Sequence, residues 1–424
     1  FRGRLEDERL VTGRGRYGDD LNLPGQAYAA FLRSPVAHAR IARVDVAPAL
    51  ACDGVIAAMT GADLAALGYG RIPVPPQQNA DGSSMVVPDW PPLAHERVRF
   101  VGESIALVLA ESTAAAQAAL ESIVLELEEL PPVAVPGGDG GPVWPHAPDN
   151  VALRYHSGDK PAVDQAFAAA AHIVTASVRS QRLVVNAMET RAVTAEWDGA
   201  SGTFRLHAGS QGATGLSAEV AALMNLPPSA VRVTTRDVGG GFGSKTHAYP
   251  DYVALLEASR HIGRPVKWTP TRSEAFLTDS HGRDSVVEGD LALDDDGRFL
   301  AFRFRSTVNI GAYHTSFTTF TATRNFFNSV AGVYGTPAIQ ADIRCVYTNT
   351  NPSAPYRGAG RPEANLILER LVDAGATALG LDRAELRRRN LVPASAMPYR
   401  AANGMEYCSG DFPAVLEKAL VLAD

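Results

Sequence analysis

Asp237-Val238-Gly239-Gly240-Gly241-Phe242-Gly243-Ser244-Lys245 is the stretch whose reading decides what this chain is. Glycine reaches backbone conformations barred to other residues and lets a ligand approach the peptide plane. Successive N–H groups in such a loop can hold anionic oxygens without a charged side chain. A β-like run ends near Asp237, and the helical pattern Tyr252-Val253-Ala254-Leu255-Leu256-Glu257-Ala258 follows the turn. Phe242 is expected to be buried, fixing the loop while its amide faces a ligand. Three readings compete. A phosphate loop of the GxxxxGK[ST] type nearly fits Gly239 through Lys245-Thr246. It fails because Ser244 stands where glycine should precede the lysine, and Pro250 is expected to prevent a helix from starting at Thr246. A ligand-free turn is disfavoured because glycines at 239, 240, 241 and 243 cost conformational entropy. A cradle for another cofactor is the third reading, and the rest of the chain decides it.

A chain of 424 residues predicts two or three domains. With 46% hydrophobic and 20% charged residues the composition is that of a globular protein. A net charge of −7 argues against a broad attraction to nucleic acid or anionic membrane. Cys52, Cys345 and Cys408 lack CxxC spacing, which excludes an iron–sulfur cluster or structural zinc site built from this chain's thiols alone and argues against a disulfide scaffold. They are expected to be buried free thiols. No apolar run approaches the roughly 20 residues of a membrane span, and Phe1-Arg2-Gly3-Arg4-Leu5-Glu6-Asp7 lacks the apolar core of a signal peptide. The lack of an initiator methionine suggests that a few leading residues are absent. A cytoplasmic protein is expected.

Residues 27–32 follow the turn Pro24-Gly25 and read as a strand. Residues 98–101 and 105–110 flank Gly102-Glu103, which predicts a turn between two strands. Ser112-Thr113 caps a predicted helix over 114–121, and 124–130 alternates like a half-exposed strand. Residues 131–150, rich in Pro, Gly and Asp, read as a connector. Beyond it, 162–171 and 217–224 read as helices, and 203–208 and 230–235 as strands. Asp294-Asp295-Asp296-Gly297 predicts a hairpin turn between 286–293 and 299–307; the other ligand positions of a calcium loop are missing. Helices are predicted over 363–379 and 383–389. The fold class is α+β.

Gly-Gly-Gly-Phe-Gly-x-Lys resembles the signature of the xanthine oxidase family of molybdenum hydroxylases, in their large, molybdopterin-binding subunit. Further landmarks occur in the family's order. They are Arg9-Leu10-Val11-Thr12-Gly13-Arg14-Gly15-Arg16-Tyr17 with Asp19-Asp20-Leu21, Arg33-Ser34-Pro35 with His38-Ala39-Arg40-Ile41, and Val98-Arg99-Phe100-Val101-Gly102-Glu103. Later ones are Met188-Glu189, Pro265-Val266-Lys267-Trp268, Tyr356-Arg357-Gly358-Ala359-Gly360-Arg361-Pro362-Glu363 and Glu385-Leu386-Arg387-Arg388-Arg389-Asn390. The resemblance covers nearly the whole chain. It implies an N-terminal α/β hammerhead-like domain over 1–130, a connector over 131–150 and the first molybdopterin-binding α+β domain over 151–424.

It also implies roles. Gln211 sits where the family's glutamine contacts an oxygen ligand of molybdenum. Gly240, Gly241, Phe242 and Gly243 match the turn packed against the molybdenum–dithiolene centre, with Phe242 nearest the metal. Arg357 matches the arginine beside the metal-proximal part of the pterin. An amide, backbone N–H groups and a guanidinium can all donate to cofactor oxygens without becoming metal ligands. The dithiolene of the pterin holds the metal, which accounts for the lack of a His/Cys ligand cluster.

The departures concern the substrate. Purine-oxidising members carry a glutamate after the motif lysine, where Thr246 stands, and an aromatic two residues after the motif arginine, where Ala359 stands. Carbon monoxide dehydrogenases carry a copper-binding cysteine where Gly358 stands. Apart from that cysteine, the chain is similar to their bacterial aerobic-type large subunits. N-heteroaromatics and aldehydes remain as substrate classes, oxidised with water as the oxygen source. Thr246, Ala359, His247 and Arg361 are candidate pocket residues. Family large subunits run to roughly twice this length, and their second half holds more of the cofactor site and a general-base glutamate. Neither Glu189 nor Glu363 matches that base, so it is expected outside this chain. The expectation is a separate second molybdopterin-binding chain, with a cleaved or truncated chain as the rival. Iron–sulfur and FAD subunits carrying 2Fe-2S clusters and FAD are implied partners, and the cytosine dinucleotide form of the pterin is implied. The alternative function is a non-catalytic scaffold or degenerate paralogue.

Overall fold

The structure is a computed structural model that describes residues 3–423. Strand Ser104–Ala110 is buried along its whole length, as a run that is apolar on both faces must be. It pairs antiparallel with Ala27–Arg33 on one side and Val55–Thr60 on the other. Beyond Ala27–Arg33 the sheet continues through Val266–Trp268, Val193–Asp198 and Thr203–Ala208 to Val231–Thr234, making seven strands. Strands from before and after residues 131–150 therefore share one sheet. Those residues carry no helix or named strand, but they are fastened down. Val133 N donates to Asn349 Oδ1 at 2.9 Å, and Trp144 Nε1 to the Ala312 carbonyl at 2.8 Å.

A second sheet runs Val151–Gly158, Ala338–Tyr347, Phe299–Gly311, Ser285–Leu293, His172–Ser180. Helix Arg361–Leu379 covers it, burying Ala364, Ile367, Leu368, Leu371, Val372 and Gly375, a single stripe at helical spacing. The Asp294-Gly297 hairpin is present as expected, with Asp294 Oδ1 accepting from Asp296 N and Arg298 N. The architecture is mixed α+β.

Three expectations are corrected. Residues 98–101 and 105–110 do not form a hairpin. Arg97–Val98 pairs with Ala39–Asp45 in a separate three-stranded sheet, while Ser104–Ala110 pairs elsewhere. The bend between them is held by the buried Glu103 carboxylate, which accepts from Arg99 N and Tyr313 Oη. Pro250 opens helix Pro250–Ile262 instead of interrupting it. At the first helical position its missing N–H loses no intrahelical bond. Of the cysteines only Cys345 is buried; Cys52 is half-buried and Cys408 exposed.

Several ionisable groups are sealed in the core. Arg191 is fully buried, with Nε 2.6 Å from Asp279 Oδ1 and Nη2 3.3 Å from Asp251 Oδ2. Asp251 also meets Arg33 at 3.0 Å, which pairs with Glu274 at 2.9 Å. This chain of charges ties strand Ala27–Arg33 to helix Pro250–Ile262.

The buried histidines give stability a pH dependence. Burial pushes His247 and His314 down to about 3 and His281 down to about 4. Their unfolded value is about 6.5. The stability they supply is present above that value and is lost as pH falls toward the folded values, because only the unfolded chain then binds the proton. Glu103 acts oppositely: burial raises it to about 7, so the folded chain holds an extra proton below that pH and gains stability on acidification. Burial also lowers His38 and raises Glu219 and Glu257. Four histidines thus act against three carboxyls, and because the carboxyls are displaced less far the net effect between about pH 6.5 and 5 is a loss of stability as pH falls. Urea midpoints measured across that interval are expected to fall with pH. Flat or rising midpoints would contradict the burial of these rings.

Candidate cofactor-binding site

Strands Thr203–Ala208 and Val231–Thr234 are parallel neighbours, so both deliver their chain ends to the same edge of the sheet. One continues into Gly209-Ser210-Gln211 and the other into the glycine-rich turn. Ser210 Oγ and Thr235 Oγ1 join the two exits at 2.7 Å. Gln211 N then donates to the Lys245 carbonyl at 2.9 Å, and Gly243 N donates to Gln211 Oε1 at 2.7 Å. The second bond orients the side chain. Its oxygen is taken by the turn, and its Nε2 hydrogens are left to donate elsewhere from an exposed residue.

Within the turn, Gly240, Phe242 and Gly243 all have positive φ, at 101°, 49° and 111°. Phe242 departs from expectation: it is 39% exposed. The left-handed backbone turns the ring outward, and Gly240 makes room for it, since a Cβ there would lie 2.7 Å from Phe242 Cε2. Arg357 closes over this ring with its guanidinium carbon 4.3 Å from the centroid, and Arg357 N donates to the Phe242 carbonyl at 3.0 Å.

Arg283 steadies the arginine loop by donating to the Arg357 carbonyl at 2.9 Å and pairing with Glu363 at 2.7 Å. Gly358, Ala359 and Gly360 follow with φ of 89°, 48° and 90°, and helix Arg361–Leu379 begins. Helix Ala213–Leu223 starts in the same way just after Gln211. Both have glycine at the N-cap and no side-chain cap. The second helix already uses its first N–H on the Gly358 carbonyl and has proline next, so it is helix Ala213–Leu223 whose first N–H groups and positive dipole end await other partners.

The structure thus unites Gln211, Gly240, Gly241, Phe242, Gly243 and Arg357 in one open, donor-rich face. Thr246 stands at its edge, half-buried, its hydroxyl donating to the Gly243 carbonyl at 2.7 Å. Ala359 supplies only a methyl group on a left-handed backbone. Arg361 is exposed and donates to the Gly358 carbonyl at 3.1 Å. His247 does not join them: it is 1% exposed, packed 4.6 Å from the Tyr249 ring. Glu189, Lys245 and Arg283 are structural members of the site to which sequence reasoning gave no role. The Met188-Glu189 and motif-lysine landmarks pointed to the first two, and nothing pointed to Arg283. Among the described residues no group of three or more His, Cys, Asp or Glu side chains could hold a metal ion.

Gly241 tests the geometry without backbone strain. A Cβ there would come 2.5 Å from Gln211 Oε1 and 2.7 Å from its Cδ. The Gly241→Ala variant is expected to fold normally and to swing the Gln211 amide away, cutting ligand retention on the order of 10-fold. Retention equal to wild type would show that Gln211 is not oriented by this turn.

Comparison with known proteins gives two family matches. Residues 143–391 match the molybdopterin cofactor-binding domain, and residues 12–131 match the aldehyde oxidase and xanthine dehydrogenase a/b hammerhead domain. The carbon monoxide dehydrogenase large chain of Hydrogenophaga pseudoflava is 33% identical, over 99% of this chain and 53% of its own length. The nicotinate dehydrogenase large molybdopterin subunit of Eubacterium barkeri is 31% identical, over 91% of this chain and 87% of its own. Among solved structures, quinoline 2-oxidoreductase from Pseudomonas putida 86 superposes with a TM-score of 0.91 at 35% identity, covering 99% of this chain and 53% of that one. The chain spans about half the length of the first and third of these relatives and most of the second.

Proposed function

The chain belongs to the xanthine oxidase family of molybdenum hydroxylases as a molybdopterin-binding subunit, and from that premise we propose that it forms one wall of the active site of an enzyme oxidising an N-heteroaromatic or aldehyde substrate with water as the oxygen source. The donor set carries this reading. Gln211 Nε2, the Arg357 guanidinium and the uncapped N-terminus of helix Ala213–Leu223 lie beside the glycine-rich turn, and among the described residues no cluster of metal-ligating side chains competes with them. Such a set fits a cofactor that brings its own metal ligands and presents oxygens to be bonded.

When bound, the molybdenum cofactor would accept two electrons from the substrate. This chain's residues do the positioning. Gln211 donates from Nε2 to a cofactor oxygen, Arg357 offers charged N–H groups, and the Gly240–Gly243 backbone closes against the cofactor with Phe242 outermost. None of these groups takes up a proton. Glu189 and Glu363 are both committed, to Lys245 and to Arg283, so the general base lies elsewhere in the enzyme. Thr246 and Ala359 edge the substrate side. They provide neither a carboxylate nor a stacking ring, which disfavours purines. Gly358 gives no thiol for copper, which disfavours carbon monoxide.

The rest of the site is supplied by a second molybdopterin-binding chain. Iron–sulfur and FAD subunits carry electrons away, and the pterin is the cytosine dinucleotide form. A relative named as a large molybdopterin subunit, the one of nicotinate dehydrogenase, is matched over 87% of its own length by residues present in this chain, which supports a divided site. Intact mass and gene-neighbour reading test the division; one continuous coding frame through both halves would sink it. For the activity, the assembled complex should be assayed by dye-linked oxidation of N-heterocycles, aldehydes, a purine and carbon monoxide. Turnover is expected in the first two groups. Stoichiometric molybdenum with no substrate bleaching of iron–sulfur or flavin absorbance would instead make the chain a non-catalytic scaffold.

A further inference from the structure

Both flanks of the glycine-rich turn end on one buried ion pair. Lys245 Nζ lies 2.8 Å from Glu189 Oε2 and 3.0 Å from the Glu189 carbonyl, and the two side chains are only 1% and 11% exposed. Both carboxylate oxygens of Glu189 are engaged. Oε1 accepts from Gly18 N at 2.9 Å, Oε2 also accepts from Gly239 N at 2.8 Å, and Glu189 N donates back to the Gly239 carbonyl at 3.1 Å. Lys245 in turn presents its carbonyl to Gln211 N. One pair therefore grips the first residue of the turn, its last residue, the backbone of Gln211 and the N-terminal segment at Gly18.

Glycines clear the space for it. A Cβ on Gly239 would lie 2.4 Å from Glu189 Cβ, one on Gly209 3.1 Å from Glu189 Oε2, and one on Gly18 3.3 Å from Glu189 Oε1. Gly239 thus admits no side chain against Glu189, and Gly209 and Gly18 approach its carboxylate at distances that a side chain would crowd. The charge is also well placed: a carboxylate accepts the amides of Gly18 and Gly239 strongly, and the ammonium keeps it from being a lone buried charge.

We infer that Glu189 and Lys245 are positioning residues that set the conformation of the cofactor turn and of Gln211, acting on the cofactor through them without touching it. The inference rests on the cofactor-site reading above. Buried partners that orient the groups contacting a metal centre typically matter by 10–100-fold in affinity. Shape and charge both enter here. Aspartate at 189 would keep the charge but could not reach Gly18, Gly239 and Lys245 together. Methionine at 245 would leave the carboxylate unpaired.

The test uses the assembled complex carrying Glu189→Asp, Lys245→Met or the neutral double variant Glu189→Gln with Lys245→Met. Three quantities are read: molybdenum per chain after extended buffer exchange, the melting temperature, and hydrogen exchange of the amides over residues 239–245. Glu189→Asp is expected to melt close to wild type while losing molybdenum on the order of 10-fold faster and exchanging the turn amides faster. The double variant is expected to recover the melting temperature that Lys245→Met loses, without recovering molybdenum retention. The proposal is overturned if Glu189→Asp retains molybdenum like wild type, or if every variant loses metal only in step with its unfolding. Should the wild-type chain hold no molybdenum, the cofactor reading fails separately. Hydrogen exchange then still judges the pair, and unchanged turn protection in Glu189→Asp would refute it.

Discussion

The Gly243→Ala variant is expected to lose the cofactor while keeping the fold. Gly243 has φ of +111°, a region that costs an L residue roughly 1–3 kcal/mol. Space is the harder limit. A Cβ at this position would stand 2.0 Å from the Pro355 carbonyl oxygen and 2.6 Å from its carbon. Those atoms are backbone of the arginine loop, so they cannot rotate aside as a side chain would. The turn and the loop must separate, which breaks the bond from Arg357 N to the Phe242 carbonyl and the stacking of Arg357 on the ring. Together these losses come to about 3 kcal/mol, or roughly 100-fold in cofactor occupancy. Gly243, Ser244 and Lys245 are buried, so the strain also lowers the melting temperature, by about a few degrees and well short of unfolding the chain. Molybdenum content and thermal melts check both halves of this expectation. Normal metal content would mean that the turn and the Arg357 loop need not be in contact.

Arg191→Met is expected to do the reverse and to strike the fold. The guanidinium is fully buried, bonded to Asp279, Asp251 and Thr278 Oγ1, and 3.6 Å from the Tyr249 ring centroid. Asp251 retains Arg33 when it is lost, but no other side chain bonds Asp279 among the described residues. Breaking a buried pair from one side leaves an uncompensated charge and costs about 3–5 kcal/mol. Lysine should not rescue it, since a single ammonium cannot span both carboxylates as the planar fork does. Urea denaturation supplies the measurement, with Arg40→Met as a control. Arg40 pairs with Glu128 at the surface, both more than half exposed, where a pair contributes less than about 1 kcal/mol. Equal effects of the two substitutions would contradict the burial of the Arg191 network.

The contrast between these variants reflects what the sequence makes legible. Gln211, the glycine turn and Arg357 are each visible as short patterns, and their meeting agrees with the resemblance. Their meeting has a physical cause that no local pattern carries. The parallel pairing of Phe204 with Val231 through His207 with Thr234 brings the two strand ends together. The exposure of Phe242 is not legible because apolar side chains usually go inside, whereas it depends on a left-handed backbone at a non-glycine residue. Strands Val151–Gly158, His172–Ser180 and Ala338–Tyr347 left little trace. His172–Ser180 buries only Val174, and Ala338–Tyr347 interleaves Gln340, Asp342 and Arg344 among its apolar residues. The start of helix Pro250–Ile262 is hidden in the sequence because proline reads as a stop unless the helix is known to begin there. Glu189 is visible only as half of a Met-Glu landmark, because its partners at 18, 239 and 245 lie far from it in sequence.

Molybdenum stoichiometry is the most direct measure of the central claim. The assembled protein should carry one molybdenum per chain, and Gln211→Ala and Arg357→Ala should each lower that content on the order of 10–100-fold without changing the melting temperature. A wild-type protein without molybdenum, or substitutions that leave both metal content and activity untouched, would contradict the assignment of this face as a molybdenum cofactor site.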